Sequence, residues 1–363
     1  MTGSDRAVTE RRNAFHGLLL WLAGKVPDEL VTQARDWLAE GREGEAARAV
    51  TFAVLNQNIP LVEADLALLA TLLDAEGVDG SALAQLQPAQ FDPAPPFGFA
   101  PVSPGTEPPA QPDDAPLDDV DETAVAAVSE ETGVHGVWRV WRSPADGSPW
   151  PPPRRVYLVE ADAEVDLVGM AARLQRRLEA AGEPSPQVEA HPVGAELPAY
   201  QRLAKAYAQL VWAATPPPDI QIATVFDEVD AQAGPRFSVS HERMDDEAEV
   251  HRVIDYLRAG EPLLVTTARM DDMVDRSRRN AVPMSFRTDG AWIWTDTTTY
   301  YLERHRLTPD VGLLAHIRSS GYLTPALDGV AIHRAMAVLQ APAEEEPVWT
   351  YDGSTPETET AGE

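Results

Sequence analysis

Three aspartates stand close together in the run DDMVD at residues 271–275, and they are the residues best suited to chemistry. Carboxylate oxygens are hard ligands, and magnesium sites commonly combine one or two of them with water and phosphate oxygens. The spacing of Asp271, Asp272 and Asp275 therefore predicts, as one hypothesis, a metal site for a phosphorylated substrate. Because three of the next four residues are arginines, the alternative is a solvated loop held by local Asp–Arg pairs.

A second set of candidates is aromatic and charged. The pair Asp289-Gly290 lies between apolar runs and predicts a β-hairpin, because both residue types tolerate positive φ. The period of two along a strand places Trp292 and Trp294 on one face. Tyr and Trp dominate many protein–protein contacts, so this face is either a binding surface or a core face under the C-terminal helices. The predicted binding residues are Phe286, Arg287, Trp292, Trp294, Asp296, Tyr300, Tyr301 and Arg304.

Other catalytic signatures are absent from the sequence. Without cysteine, the chain has no disulfide, thiol nucleophile or Cys-ligated zinc. The eight histidines show no zinc-ligand spacing, and the sequence contains neither a nucleophile elbow, nor a P-loop, nor a dinucleotide fingerprint. We therefore expect no cofactor, and the sequence favours a non-enzymatic protein.

The N-terminal part of the chain is predicted to be helical. Apolar residues at three- and four-residue spacing over residues 1–87, with Pro and acids at the starts of segments, predict a small helical bundle. Residues 88–122 carry frequent prolines, few branched apolar residues and a growing acid load, which predicts a disordered linker.

The remainder reads as α+β. Residues 123–226 alternate strand and helix patterns and predict an α/β module, in which residues 198–212 form the last helix. Residues 227–340 predict an α+β module with a β-branched strand at 263–267, the hairpin and C-terminal helices. The acidic residues 341–363 predict a disordered tail. The fold class is accordingly α+β, with one or two small modules after the bundle and linker.

Net charge constrains the partners. The chain of 363 residues has 58 acidic and 29 basic side chains, a formal charge of −29. This field repels nucleic acid phosphates and anionic membrane surfaces and attracts a basic protein. No apolar run approaches the roughly 20 residues that span a bilayer. We expect a cytoplasmic location and leave the oligomeric state open.

Two resemblances add to these patterns. The DDMVD run is similar to the magnesium-binding motif of prenyl-diphosphate synthases and terpene cyclases, but those enzymes are all-helical and carry a second acidic motif, which this sequence lacks. Residues 261–340, including the hairpin, resemble a domain of uncharacterised proteins of high-GC Gram-positive bacteria. That resemblance implies an acidic immunity partner of a toxin and identifies no catalytic residue.

Three functional hypotheses follow. The first is a non-enzymatic cytoplasmic interaction protein, immunity-like or antitoxin-like, which binds a basic protein partner. The second is a metal-dependent enzyme that uses Asp271, Asp272 and Asp275. The third is a structural subunit of a larger assembly, in which the linker joins two docking domains.

Overall fold

The computed structural model describes residues 3–230 and 234–341. In these ranges the helices are α1 (Gly3–Leu22), α2 (Asp28–Ala39), α3 (Glu43–Gln57), α4 (Glu63–Ala75), α5 (Asp119–Ser129), α6 (Leu167–Ala180), α7 (Ala199–Ala206), α8 (Glu247–Ala259), α9 (Asp296–His305), α10 (Val311–Ser319) and α11 (Gly329–Gln340). The strands are β1 (Phe97–Ala100), β2 (Val134–Pro144), β3 (Arg154–Ala161), β4 (Gln187–Pro192), β5 (Gln209–Ala213), β6 (Gln221–Ile222), β7 (Glu228–Asp230), β8 (Gly234–Arg236), β9 (Glu261–Leu264), β10 (Arg269–Met270), β11 (Val282–Pro283), β12 (Phe286–Thr288) and β13 (Trp292–Thr295). This mixture confirms the predicted α+β class. The tail predicted at 341–363 lies outside the described residues, apart from Ala341.

Helices α1 to α4 pack around one apolar core. Phe15, Leu18 and Leu22 of α1 recur at three- and four-residue spacing, and all three are buried in that core. Pro27 precedes α2, whose first turn carries Asp28, an acid placed where the helix dipole favours negative charge. Although α1 is 20 residues long, no helix in the described ranges combines the length and apolarity needed to cross a membrane.

A five-stranded sheet forms the middle of the molecule. Its order is β1-β2-β3-β4, and β5 pairs with a second part of β2. Residues 141–144 of β2 pair with β1 and residues 136–139 pair with β5, so both short strands lie along one edge. Helix α6 connects the parallel strands β3 and β4, and α5 and α6 cover one face. Residues of α7 and α11 pack on the other face.

Two local predictions differ from the structure. The predicted linker at 88–122 contains β1, because Phe97 to Ala100 find backbone partners in β2. The predicted helix at 198–212 ends at Ala206, and residues 209–213 form β5 instead. In both cases pairing with β2, distant in sequence, determines the conformation of the segment.

A four-stranded sheet of order β6-β13-β12-β9 follows. The predicted hairpin is confirmed: β12 and β13 pair antiparallel around Asp289-Gly290. Helices α8 and α10 pack on the face that carries Trp292 and Trp294. The predicted strand at 263–267 is displaced, because β9 covers residues 261–264.

Candidate functional site

The hairpin turn is fixed by one buried carboxylate. Asp289 Oδ1 accepts hydrogen bonds from the backbone N–H groups of Ala291 and Trp292, at 2.9 and 2.8 Å. Its Oδ2 accepts from His316 Nε2 of α10, at 2.7 Å, and from the Tyr256 hydroxyl of α8. Burial, together with the neighbouring Asp289, raises the pKa of Tyr256. The turn is thus locked to both helices beneath it.

The aromatic residues predicted to bind a partner belong mainly to the core. Trp294 is fully buried, and its indole N–H donates to the backbone oxygen of Leu257 at 3.1 Å. Tyr301 is also buried, among Phe226, Phe237 and other apolar side chains. Burial raises the pKa of Tyr301 to about 12. Trp292 is half-buried in the cluster formed with α8 and α10. Trp294 and Tyr301 therefore belong to the core, which was the alternative to a binding surface.

The charged residues predicted around them are only partly free. Arg287 Nε donates to Asp296 at 2.7 Å, and its Nη1 donates to the backbone oxygens of Gly260 and Arg258 at 3.0 and 3.1 Å. Phe286 is half-buried, whereas Arg304 is exposed. The predicted set therefore does not form one open surface.

The three aspartates of the DDMVD run point to different partners. Asp272 is fully buried and accepts from His305 Nε2 at 2.6 Å and from the Tyr300 hydroxyl at 3.0 Å. Asp271 accepts from the backbone of Asn280 and from Arg279, and Asp275 pairs with Arg278 at 3.1 Å. Among the described residues, no group of three or more His, Cys, Asp or Glu side chains could hold a metal ion. The geometry supports the loop hypothesis.

Hydrogen bonding also sets the electrostatics of this loop. Burial acts to raise the pKa of Asp272, but hydrogen bonds from His305, two backbone N–H groups and Tyr300 outweigh it and hold that pKa below its ordinary value. For Asp271, the backbone N–H of Asn280 and the Arg279 guanidinium lower the pKa. Both carboxylates are therefore ionised at neutral pH and organise the loop.

The sequence predicted a strand near β9 but not that this strand is the exposed outer strand of its sheet. Strand β9 pairs with β12 on one side and is the last strand of its sheet. Leu264 and Val265 are 47% and 76% exposed, and the neighbouring Met284 is 39% exposed. Thr266 stays alongside the sheet, since its N–H donates to Ser285 Oγ at 3.2 Å. The signal in the sequence was the uncharged, β-branched stretch at 263–267, whose position at an edge becomes visible only from the pairing.

The acidic segment, defined as residues 107–122, carries seven carboxylates and no lysine or arginine. It lies beside the C-terminal half of α11: Asp113 accepts from His333 Nε2 at 2.9 Å, and Gln111 donates to the backbone oxygen of Gln340 at 3.4 Å. Helix α11 also packs against β9. The segment and the strand therefore lie against the same helix.

Part of the acidic segment is structural and part is free. Asp118 and Asp121 hold the buried Arg155, and Asp121 also pairs with Arg139 at 3.1 Å. The pKa of Asp118 falls to about 2, chiefly through its hydrogen bonds from Arg155. Asp113 pairs with His333, and the other four carboxylates are exposed and form no ion pair within the described ranges; they are Glu107, Asp114, Asp119 and Glu122.

The best-formed pockets among the described residues are small. One, between α5 and α6, offers about 30 Å³, and another, lined by Phe237, Thr298 and Tyr301, offers about 10 Å³. Such cavities hold one or two water molecules, whereas pockets for drug-sized ligands measure roughly 300–1,000 Å³.

No protein-family model, curated protein or solved structure matches this chain.

Proposed function

We propose that this protein is a non-enzymatic, cytoplasmic interaction protein that binds a basic protein partner through its acidic surface. The resemblance of residues 261–340 suggests the more specific hypothesis that the partner is a toxin and that the chain acts as its immunity protein. The proposal rests on one observation, the unequal use of positive and negative side chains.

Most cations of this chain are engaged internally. Arg35, Arg139 and Arg155 are buried against carboxylates, and Lys205 pairs with the buried Glu160. The acids outnumber the bases by 58 to 29, so many carboxylates have no cation to neutralise them. A surface with surplus negative charge and few free cations accelerates encounter with a positive surface and rejects acidic partners.

The acidic segment offers a direct test of this proposal. A tagged full-length chain is used to capture proteins from the native host, and the recovered partner is purified and titrated calorimetrically at 50 and at 300 mM NaCl. We expect one basic protein at stoichiometric yield, with a Kd that rises by at least tenfold at the higher salt, since screening weakens attraction between exposed charges.

A matched pair of variants separates local from overall charge. In the first variant, Glu107, Asp114, Asp119 and Glu122 become Gln or Asn. In the second, the same number of exposed carboxylates is neutralised elsewhere, at Glu63, Asp74, Glu164 and Glu196. We expect only the first variant to lose more than tenfold in affinity. Equal losses would mean that overall charge rather than this segment directs binding, and the recovery of no basic protein would refute the proposal.

A further inference from the structure

The outer side of β9 has the properties of a strand-pairing edge. Thr266 directs both its N–H and its C=O toward Ser285, on the β12 side, with distances of 3.2 and 3.4 Å to Ser285 Oγ. Backbone groups alternate sides along an extended chain, so Val265 and Thr267, on either side of Thr266, are placed to direct theirs outward. Unpaired outward groups of this kind are a template for another strand.

Proline limits this edge to the residues that follow it. Pro262 pairs with Arg287, whose backbone faces β13 like that of Ser285 and Asp289 on either side, so Pro262 faces outward and supplies no N–H to the outer side. A register shift between Phe286 and Arg287 follows, so the alternation along β9 is interrupted beside Leu263. The stretch that follows, Leu263 to Thr267, is uncharged and has β-branched residues at three of five positions.

The side chains at this edge are apolar and exposed. Leu264 and Val265 are both exposed, and successive side chains of an extended chain alternate between the two faces. A strand paired with this edge would cover both side chains. Its residues on one face would contact Leu264, and those on the other face would contact Val265. Exposed apolar residues on an unpaired edge are a feature that monomeric proteins usually avoid.

Charge favours a basic occupant at the Glu261 end of this edge, whereas the guanidinium of the exposed Arg269 at the other end donates, among the described residues, only to the backbone oxygen of Ala281. Glu261 at the start of β9 is exposed and lies outside every ion pair formed by the described residues, and the acidic segment lies against the same helix α11 that packs on β9. A second copy of the chain would bring another net charge of −29 to this edge. Repulsion between two such copies disfavours self-pairing. An extended segment that alternates basic and aliphatic residues can instead pair with the backbone groups of the edge, and its positive charges are attracted by the negative charge of this chain.

We propose that residues 263–267 bind an extended segment of the basic partner as an additional strand of the sheet, with the partner's arginines or lysines directed toward Glu261 and the acidic segment. This inference rests on the proposed function, since it names the surface by which the partner is held. Main-chain hydrogen bonds supply affinity in this mode, and alternate side chains supply specificity.

Two synthetic peptides test the proposal on the full-length chain. The first is an eight-residue peptide that alternates Lys or Arg with Val, labelled with a fluorophore for anisotropy. The second has the same sequence, but alternate backbone nitrogens are methylated, so charge and side chains are kept while strand pairing is blocked. We expect the methylated peptide to bind at least tenfold more weakly, because several backbone hydrogen bonds are lost.

Variants locate the site. Val265→Pro removes an outward N–H and should reduce binding of the unmodified peptide about tenfold, whereas Val265→Thr keeps the backbone and should leave it unchanged. Should Val265→Pro disturb folding, as judged by thermal melting, Val265→Lys places a positive charge at the edge instead and should also reduce binding. Light scattering checks for a dimer.

The outcomes separate this inference from the proposed function. Preference for the unmodified peptide, lost in the edge variants, supports strand addition. Equal, salt-sensitive binding of both peptides refutes strand addition and leaves the acidic-surface proposal standing. A dimer that Val265→Pro abolishes assigns the edge to a second copy and also refutes it. Failure of both peptides to bind at low salt counts against both proposals.

Discussion

Arg35 of α2 and Glu189 of β4 form an ion pair that joins the N-terminal helices to the five-stranded sheet. Arg35 Nη2 lies 2.8 Å from Glu189 Oε1, and both side chains are 0% exposed. Gln201 of α7 donates to the second carboxylate oxygen, also at 2.8 Å. Nε and Nη1 of Arg35 lack a hydrogen-bond partner in the described part of the chain. Removal of either charge therefore leaves the other one buried without its counter-ion.

The expected cost follows from this burial. Arg35→Met leaves the carboxylate of Glu189 without its cation, and breaking a buried pair in this way typically costs about 3–5 kcal/mol. That is a large share of the roughly 5–15 kcal/mol that stabilises a typical domain. Adding Glu189→Gln removes the stranded charge and keeps an oxygen that accepts from Gln201. The double variant should therefore be more stable than Arg35→Met alone, by about 2 kcal/mol or more.

Urea unfolding, followed by circular dichroism and tryptophan fluorescence, measures these differences. The matched control is Arg176→Met, because Arg176 of α6 pairs with Asp36 of α2 at 3.3 Å across the same interface, with side chains 52% and 20% exposed. Exposed pairs contribute about 0–1 kcal/mol, so this variant should shift the unfolding midpoint only slightly.

Two results would contradict the reasoning. One is a loss of stability in Arg35→Met no larger than that in Arg176→Met. The other is a double variant whose loss equals the sum of the single losses of Arg35→Met and Glu189→Gln, since additivity would mean that the two charges do not depend on each other.

Three further predictions concern other buried contacts. Burial lowers the pKa of His16 from 6.5 to about 4. The neutral side chain therefore contributes about 3 kcal/mol to the free energy of unfolding above pH 6.5, and this contribution is lost as the pH falls toward 4. His16→Gln should flatten this part of a pH–stability profile. Asp272→Asn should weaken the bonds from Tyr300 and His305 and speed tryptic cleavage of the loop, measured by mass spectrometry. In Gly260→Ala, the added methyl would overlap the Trp294 ring and lower stability by about 1–3 kcal/mol, seen as a reduced Tm; an unchanged Tm would contradict that packing.

Local sequence patterns were sufficient where the determining interactions are local. The Asp289-Gly290 hairpin follows from turn chemistry, and alternation placed Trp292 and Trp294 on one face, as the structure confirms. Local patterns were insufficient where pairing with a strand distant in sequence determines the conformation. Residues 97–100 and 209–213 form strands because they pair with the edge of the long strand β2. The hydrophobic periodicity within each segment does not indicate this pairing.

Burial explains why the candidate site was only partly predictable. Asp271 and Asp272 are adjacent and identical in the sequence, yet the second is fully buried beneath Tyr300 and His305 and the first reaches Arg279 at the surface. Which of two equivalent aspartates faces inward depends on how the loop crosses α9, and that path is set by tertiary packing. The same holds for β9, whose exposure depends on its being the outermost strand.

Several aspartates of this acid-rich chain are held by histidines within the fold. His135, His241, His305, His316 and His333 each lie within 3.0 Å of an aspartate. The His333 pair joins residues 220 positions apart in the sequence. Carboxylates engaged in this way are unavailable to a partner without breaking internal contacts. The interaction hypothesis therefore depends on carboxylates that are exposed and unpaired, such as those of the acidic segment, more than on the net charge of −29 itself. For this reason the variants with four neutralised positions test it more sharply than a change of salt.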